Sequence, residues 1–262
     1  MTQLTSILEQ FHDDLNRASE LLRLTLLFRS FAGSSMPAEV RDGSVPWQES
    51  IDLAEIAPQV RTDLPIMSGS VLLYLCGRFE NFVREMAMAI GDEYAASAST
   101  YGDLPESVRS ELFNRTLEVA RSPAKYNFER SEADQIIGTL ADSLRGSTGS
   151  PVSIESRLLA ITDANMHSRM MAEVFKRIGI DNLWRDLGKQ APLKTYLSEA
   201  DDGQCTKKAS MRLDKIMKER NSVAHPTSAT TFPDPDQVQA TVEYFRVLSR
   251  VSVDLALIPR RN

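Results

Sequence analysis

Apolar residues recur at intervals of three and four over most of this chain, the spacing that gathers them on one face of a helix. Residues 2–31 show it first, with Leu4, Ile7, Leu8, Phe11, Leu15, Ala18, Leu21, Leu22, Phe28 and Phe31 in phase. His12, followed by Asp13 and Asp14, reads as a surface histidine. Residues 70–97 repeat the pattern with Leu72, Leu75, Cys76, Phe79, Phe82, Val83, Met86 and Ile90, after a helix start at Ser68, Gly69 and Ser70. Further helices are predicted over 104–121, where Pro105 suits a first turn, and over 131–145, with Ser131 as cap. Residues 154–180 read as helical with an interruption near Asp163, and a short helix follows from Asp181, whose carboxylate suits an N-cap. The last two helices are predicted from about Lys207 to Ala224 and over 236–258, the latter with Val238, Val242, Phe245, Leu248, Val251 and Leu255 inward.

Two stretches break the rhythm. Within 32–69, Pro37, Pro46, Pro58 and Pro65 with Gly33, Gly43 and Gly69 exclude a continuous helix, although 51–56 has room for a short one. Trp47, Leu53 and Ile56 need burial, which predicts an ordered connection packed over the surface rather than a linker. Residues 146–151 are rich in glycine and serine but lack the lysine and flanking strand of a phosphate-binding loop, so they read as a turn. No alternating strand pattern and no repeat of fixed period emerges. The expectation is an all-α protein of seven to nine helices, residues 1–65 forming an N-terminal helix and proline-rich connection that pack on a helical domain of 66–262.

Composition narrows the setting. The chain has 262 residues, ample for a core, and 42% of them are apolar. Cys76 and Cys205 are the only cysteines, without metal-ligand spacing, which points to free thiols in a reducing cytoplasm. No apolar run approaches the length of a membrane span, and the N-terminus lacks the order of a signal peptide. His167 sits among Met166, Met170 and Met171 and reads as a satisfied core histidine rather than a ligand. The three histidines are scattered, so no metal set and no cofactor is predicted. A net charge of −6 argues against a broad nucleic-acid-coating surface.

One helix departs from that balance. Between Lys207 and Arg220, six basic residues (Lys207, Lys208, Arg212, Lys215, Lys218 and Arg220) face two acidic ones, Asp214 and Glu219, a net of +4. Such a run is either a solvated face or a phosphate-binding one. Its buried stripe consists of Ala209, Leu213, Ile216, Met217 and Ala224, and Arg220 falls on that stripe. An inward guanidinium demands a partner: a carboxylate of this chain, a second copy of the chain, or a bound phosphate. Glu80, on the edge of the 70–97 stripe, is one candidate; its other reading is an intrahelical pair with Arg84. The helix then ends on Arg220, Asn221, His225 and Pro226. Asn221 and His225, four apart, share a face, and Pro226 disfavours α geometry at His225 and turns it out of the last turn.

An arginine followed by a polar residue, a short spacer and a histidine at a helix end resembles the HEPN superfamily. Here four residues separate Arg220 from His225. The upstream helix containing Phe79, Glu80 and Phe82 resembles that of the RiboL-PSP-HEPN type, and the likeness runs over about 66–258. The resemblance implies a helical bundle and a metal-independent endoribonuclease in which the RNA 2′-hydroxyl attacks the adjacent phosphate. It implies Arg220, Asn221 and His225 as catalytic residues; beside them the residue reading sets Glu80 in support and, from the charge run, Lys207, Lys208, Arg212, Lys215 and Lys218 on RNA. It also implies a homodimer that brings two motifs together, and a toxin or antiviral effector with an antitoxin or defence-system partner. The alternative is a non-catalytic RNA-, nucleotide- or protein-binding module, in which Arg220 and His225 serve as structural contacts.

Overall fold

The computed structural model describes residues 2–35, 38–43, 48–146 and 152–258. Among these every regular element is helical: α1 (Gln3–Ala32), α2 (Ala38–Arg41), α3 (Gln48–Val60), α4 (Leu64–Ser97), α5 (Glu106–Arg121), α6 (Arg130–Arg145), α7 (Ser168–Arg177), α8 (Leu183–Gly188), α9 (Ala191–Leu197), α10 (Asp202–Ala224) and α11 (Pro235–Ala256). Short 3₁₀ turns join several of them. The all-α expectation holds, and α1, α4, α5, α6, α10 and α11 fall where the periodicity predicts long helices; α3 is longer than the short helix allowed at 51–56, and α2 and α9 are one- or two-turn additions.

The predicted faces are the buried ones. Leu72, Leu75, Cys76, Phe79, Phe82, Val83, Met86 and Ile90 of α4 are all buried, as are Val238, Val242, Phe245, Leu248 and Val251 of α11. Each large apolar side chain taken fully from water contributes about 1.5–3 kcal/mol, which outweighs local propensity in helices of this length.

Local expectations fail where proline was read too strictly. α3 carries Pro58 in its last turn, and α4 begins at Leu64, six residues before the predicted start, with Pro65 in its first turn. A first-turn proline lacks only an N–H that no helix partner would accept. Leu53 and Ile56, expected to be buried, are exposed on α3, and Leu21 is exposed on α1. Trp47 and residues 147–151 lie outside the described residues. The 154–180 segment is mostly not α-helix: a 3₁₀ turn spans Ser156–Ala160, and α7 starts only at Ser168. Caps differ as well. Glu129, not Ser131, forms the capping box of α6 with Glu132, and Asn182, not Asp181, precedes α8.

The chain divides into two compact units, with α1, α4, α10 and α11 each contributing a segment to both. The first comprises Met1–Phe11, Arg78–Met217 and Val247–Asn262. Within it Phe11 stacks on Phe82 at 4.8 Å between ring centroids, with Phe79 adjacent. Arg177, 8% exposed, donates from Nε to Glu111 at 2.9 Å and from Nη1 to the carbonyls of Leu159 and Ile161. Burial lowers the proton affinity of its guanidinium and the Glu111 carboxylate opposes this. His167 caps α7, its Nδ1 accepting from the Met170 N–H at 3.2 Å. It is a satisfied structural histidine, as expected.

The second unit comprises His12–Gly77 and Lys218–Arg246. Here Asp14, only 3% exposed, accepts from the Tyr74 hydroxyl at 2.7 Å and from Arg17 at 3.1 Å. The Arg246 guanidinium donates to Asn16 at 3.0 Å. This unit holds the complete Arg220–His225 segment.

Candidate active site

α10 is nucleated by Asp201, whose Oδ1 accepts the Gln204 N–H at 2.8 Å, and is held by buried Cys205, Ala209, Leu213, Ile216, Met217 and Val223. Its last hydrogen bond runs from the His225 N–H to the Asn221 carbonyl, 3.1 Å. Ala224 is the final helical residue, so His225 lies just beyond the helix. Pro226 cannot continue the ladder and restricts the residue before it, so the helix stops at this point, with the His225 N–H still bonded into its last turn. Asn221 and His225 are both exposed.

Arg220 departs from its expected setting. Its position follows the apolar stripe, but the residue is half-buried, and Val223 rather than Ala224 fills the buried position in the last turn. The aliphatic stem of an arginine runs along apolar surface while its head reaches water. The guanidinium Nη1 donates to the Asn221 Oδ1 at 3.1 Å. That bond leaves four of the five guanidinium N–H groups for other acceptors and orients the amide beside them. Arg220, Asn221 and His225 thus share the solvent-facing end of one helix.

Glu80 takes the intrahelical alternative. Its Oε1 accepts from Arg84 Nη2 at 2.6 Å, at the i, i+4 spacing, and the same Arg84 nitrogen donates to the Thr162 hydroxyl at 2.5 Å. The basic face of α10 is partly neutralised. Lys208 is paired with Glu199, and the Arg212 guanidinium lies 5.2 Å from the centre of the Tyr196 ring. Lys207, Lys215 and Lys218 are exposed. Asp214, counted against the run, instead accepts the Ser168 N–H and hydroxyl at 2.7 and 2.8 Å and anchors the start of α7. Because Glu199 offsets Lys208, the net of +4 counted along this helix overstates the field available to a phosphate backbone.

The loop after His225 is organised. The Thr227 N–H donates to Thr230 Oγ1 at 2.8 Å and the Thr230 N–H returns to the Thr227 carbonyl at 3.0 Å. Pro233 and Pro235 are buried, and Asp234 lies 3.9 Å from Arg29. Phe232 packs on α4 at Gly69. This support was not read from the sequence, where Ser68, Gly69 and Ser70 signalled only a helix start.

Among the described residues no group of three or more His, Cys, Asp and Glu side chains is arranged to hold a metal ion. No helix among them is long and apolar enough to cross a membrane. No curated protein and no solved structure matches the chain. A family model, that of RiboL-PSP-HEPN, matches residues 49–256, which takes in α3 through α11 and the whole Arg220–His225 segment. With that match over most of its length, the chain belongs to the RiboL-PSP-HEPN family of helical proteins.

Proposed function

We propose that this protein is a metal-independent endoribonuclease whose catalytic residues are Arg220, Asn221 and His225. The observation that carries the reading is their grouping at the end of α10, Asn221 and His225 exposed and Arg220 half-buried, with the guanidinium and amide already hydrogen-bonded and the histidine just past the last helical residue. Cleavage by the RNA 2′-hydroxyl needs the proton removed from that hydroxyl, a proton delivered to the departing 5′-oxygen, and positive charge on the phosphorane between them. Histidine is suited to the proton transfers near neutral pH, and arginine offers a permanently charged planar fork to the equatorial oxygens. Asn221, bonded to Arg220, orients the fork or adds a donor to the phosphate.

One such motif offers one imidazole, whereas the reaction calls for an acid and a base. A homodimer supplies both, with one protomer's His225 as base and its partner's as acid. Lys207, Lys215 and Lys218 contribute exposed cations for the RNA backbone, with a smaller part for Lys208, whose charge is offset by Glu199, and for the half-buried Arg212 beside Tyr196. Glu80 is reached only through Arg84 and Thr162 and is a support for its own helix. The biological role that fits is a toxin or antiviral effector in the cytoplasm, restrained or activated by a partner protein.

The test is RNA cleavage in EDTA by wild type, Arg220→Ala and His225→Ala. Wild type is expected to leave 2′,3′-cyclic phosphate ends, and each variant to lose at least about 100-fold in rate, the scale of a general acid–base contribution. Equal rates in all three proteins would sink the proposal. Absence of cleavage by any of them, with an altered oligomeric state for His225→Ala, would favour the non-catalytic binding module.

A further inference from the structure

Gly69 lies in α4, far from Arg220 and His225 in sequence, yet it packs directly against side chains on either side of His225. A β-carbon at this position would stand 2.7 Å from Phe232 Cδ1 and 3.1 Å from Val223 Cγ1. Val223 belongs to the last turn of α10, two residues before His225. Phe232 ends the loop that leaves His225. One buried glycine therefore accommodates both flanks of the histidine at once. The contrast within the same helix is Gly77, where an added β-carbon would meet nothing within 4 Å.

The rest of the loop is stiffened so that a displacement at Phe232 has little slack to absorb it. The Thr227–Thr230 turn closes on two hydrogen bonds, Pro226 fixes the exit from the helix, and Pro233 and Pro235 are buried on either side of Asp234. Between Val223 and Phe232, the His225 backbone is held by its N–H bond to Asn221. A side chain on Gly69 that pushes both contacts outward moves the histidine relative to the Arg220 and Asn221 pair.

We infer that Gly69 and Phe232 form a seat that sets the position of His225 against Arg220 and Asn221, so that both are positioning residues for the site. The inference rests on the nuclease reading for its kinetic consequence, and on geometry alone for its structural one. A misplacement of about 1 Å from productive geometry costs on the order of 100-fold in rate. Gly69→Ala is accordingly expected to lower kcat by about ten- to 100-fold, with KM changed by less than about twofold, because the cationic groups that hold the RNA backbone remain.

The experiment has a readout that does not require activity. The chain has three histidines, His12, His167 and His225, so their imidazole Cε1–H signals can be followed by NMR and that of His225 assigned with His225→Asn. Gly69→Ala should displace the His225 signal and leave that of His167 in place, while Gly77→Ala displaces neither. Phe232→Leu in the Gly69→Ala background, by exchanging a rigid ring for a shorter rotatable side chain, should return the His225 signal and kcat towards wild type. Phe232→Ala alone probes the same seat without overpacking and should also displace the signal; it serves if Gly69→Ala does not fold. An unmoved His225 signal in both Gly69→Ala and Phe232→Ala overturns the inference. So does a displaced signal that Phe232→Leu does nothing to restore. If wild type shows no cleavage at all, the nuclease reading fails, and the NMR outcomes still decide whether the seat exists.

Discussion

Arg177 shows how much a single buried charge depends on its acceptors. Its guanidinium meets Glu111 and the carbonyls of Leu159 and Ile161 while only 8% of the residue remains exposed. Arg177→Ala empties a large volume and takes the donor from the buried Leu159 carbonyl and the part-buried Ile161 carbonyl, although Glu111 keeps a second partner in Arg115 at 2.9 Å. Cavity and unpaired acceptors together should cost about 3 kcal/mol, read as a lower urea midpoint at unchanged slope. The Glu80–Arg84 pair is the opposite case, with Arg84 41% exposed. Removing Arg84 should cost less than about 1 kcal/mol, as exposed ion pairs do. A loss there as large as that at Arg177 would mean that Glu80 answers for more than its own helix. Arg220 lies between these cases, half-buried, with its guanidinium bonded to the Asn221 side chain.

At the scale of elements, helix propensity and caps give the cleanest predictions. Gly77 is exposed in the interior of α4 with open space around its missing side chain. Gly77→Ala should therefore raise stability by about 0.5–1 kcal/mol, visible as a higher thermal midpoint. Gly69→Ala carries the same propensity gain and an opposing clash with Phe232, so it should not show that rise. His167 accepts the Met170 N–H at the start of α7, and His167→Ala should cost about 1 kcal/mol, the usual loss of a capping side chain. His167→Asn should recover most of it, whereas an effect of neither substitution would show that the cap bond contributes nothing.

The two compact units hold one cysteine each, Cys76 in the second and Cys205 in the first, both buried. Burial pushes the Cys205 thiol above its ordinary value, which further lowers the reactive thiolate fraction. Both thiols should resist alkylation in the folded protein and react on opening. Labelling Cys76→Ser and Cys205→Ser separately through a denaturant series therefore reports each unit on its own. Coincident transitions are expected if α1, α4, α10 and α11, which contribute to both units, melt as whole helices. Well-separated transitions would show that they do not.

Much of this was legible beforehand, for identifiable reasons. The stripes of α4, α10 and α11 and the first two-thirds of α1 could be read because each long helix buries one continuous face, and a 3.6-residue period leaves the same mark in sequence and in space. The reading failed at Leu21, Leu53 and Ile56 because periodicity marks apolar positions, not whether another element covers them. It failed at Asp14 in the other direction: an acidic residue in phase with Phe11 and Ala18 is buried, because Tyr74, sixty residues away, supplies a hydrogen bond. The start of α4 was missed because Pro65 was treated as a breaker in a first turn, where it removes little.

By itself, then, the sequence determined the all-helical class, the inward faces, the family and the Arg220, Asn221 and His225 segment. All of these depend on residue type and on spacing within one helix. The tertiary structure alone decided which charges find partners: Glu80 with Arg84, Lys208 with Glu199, Asp214 with Ser168. It alone brought Gly69 against Phe232 and Val223. The Asp214 and Gly69 contacts join positions tens to more than a hundred residues apart, and even the short-range pairs at Glu80 and Lys208 are choices among several carboxylates and cations that spacing alone leaves open.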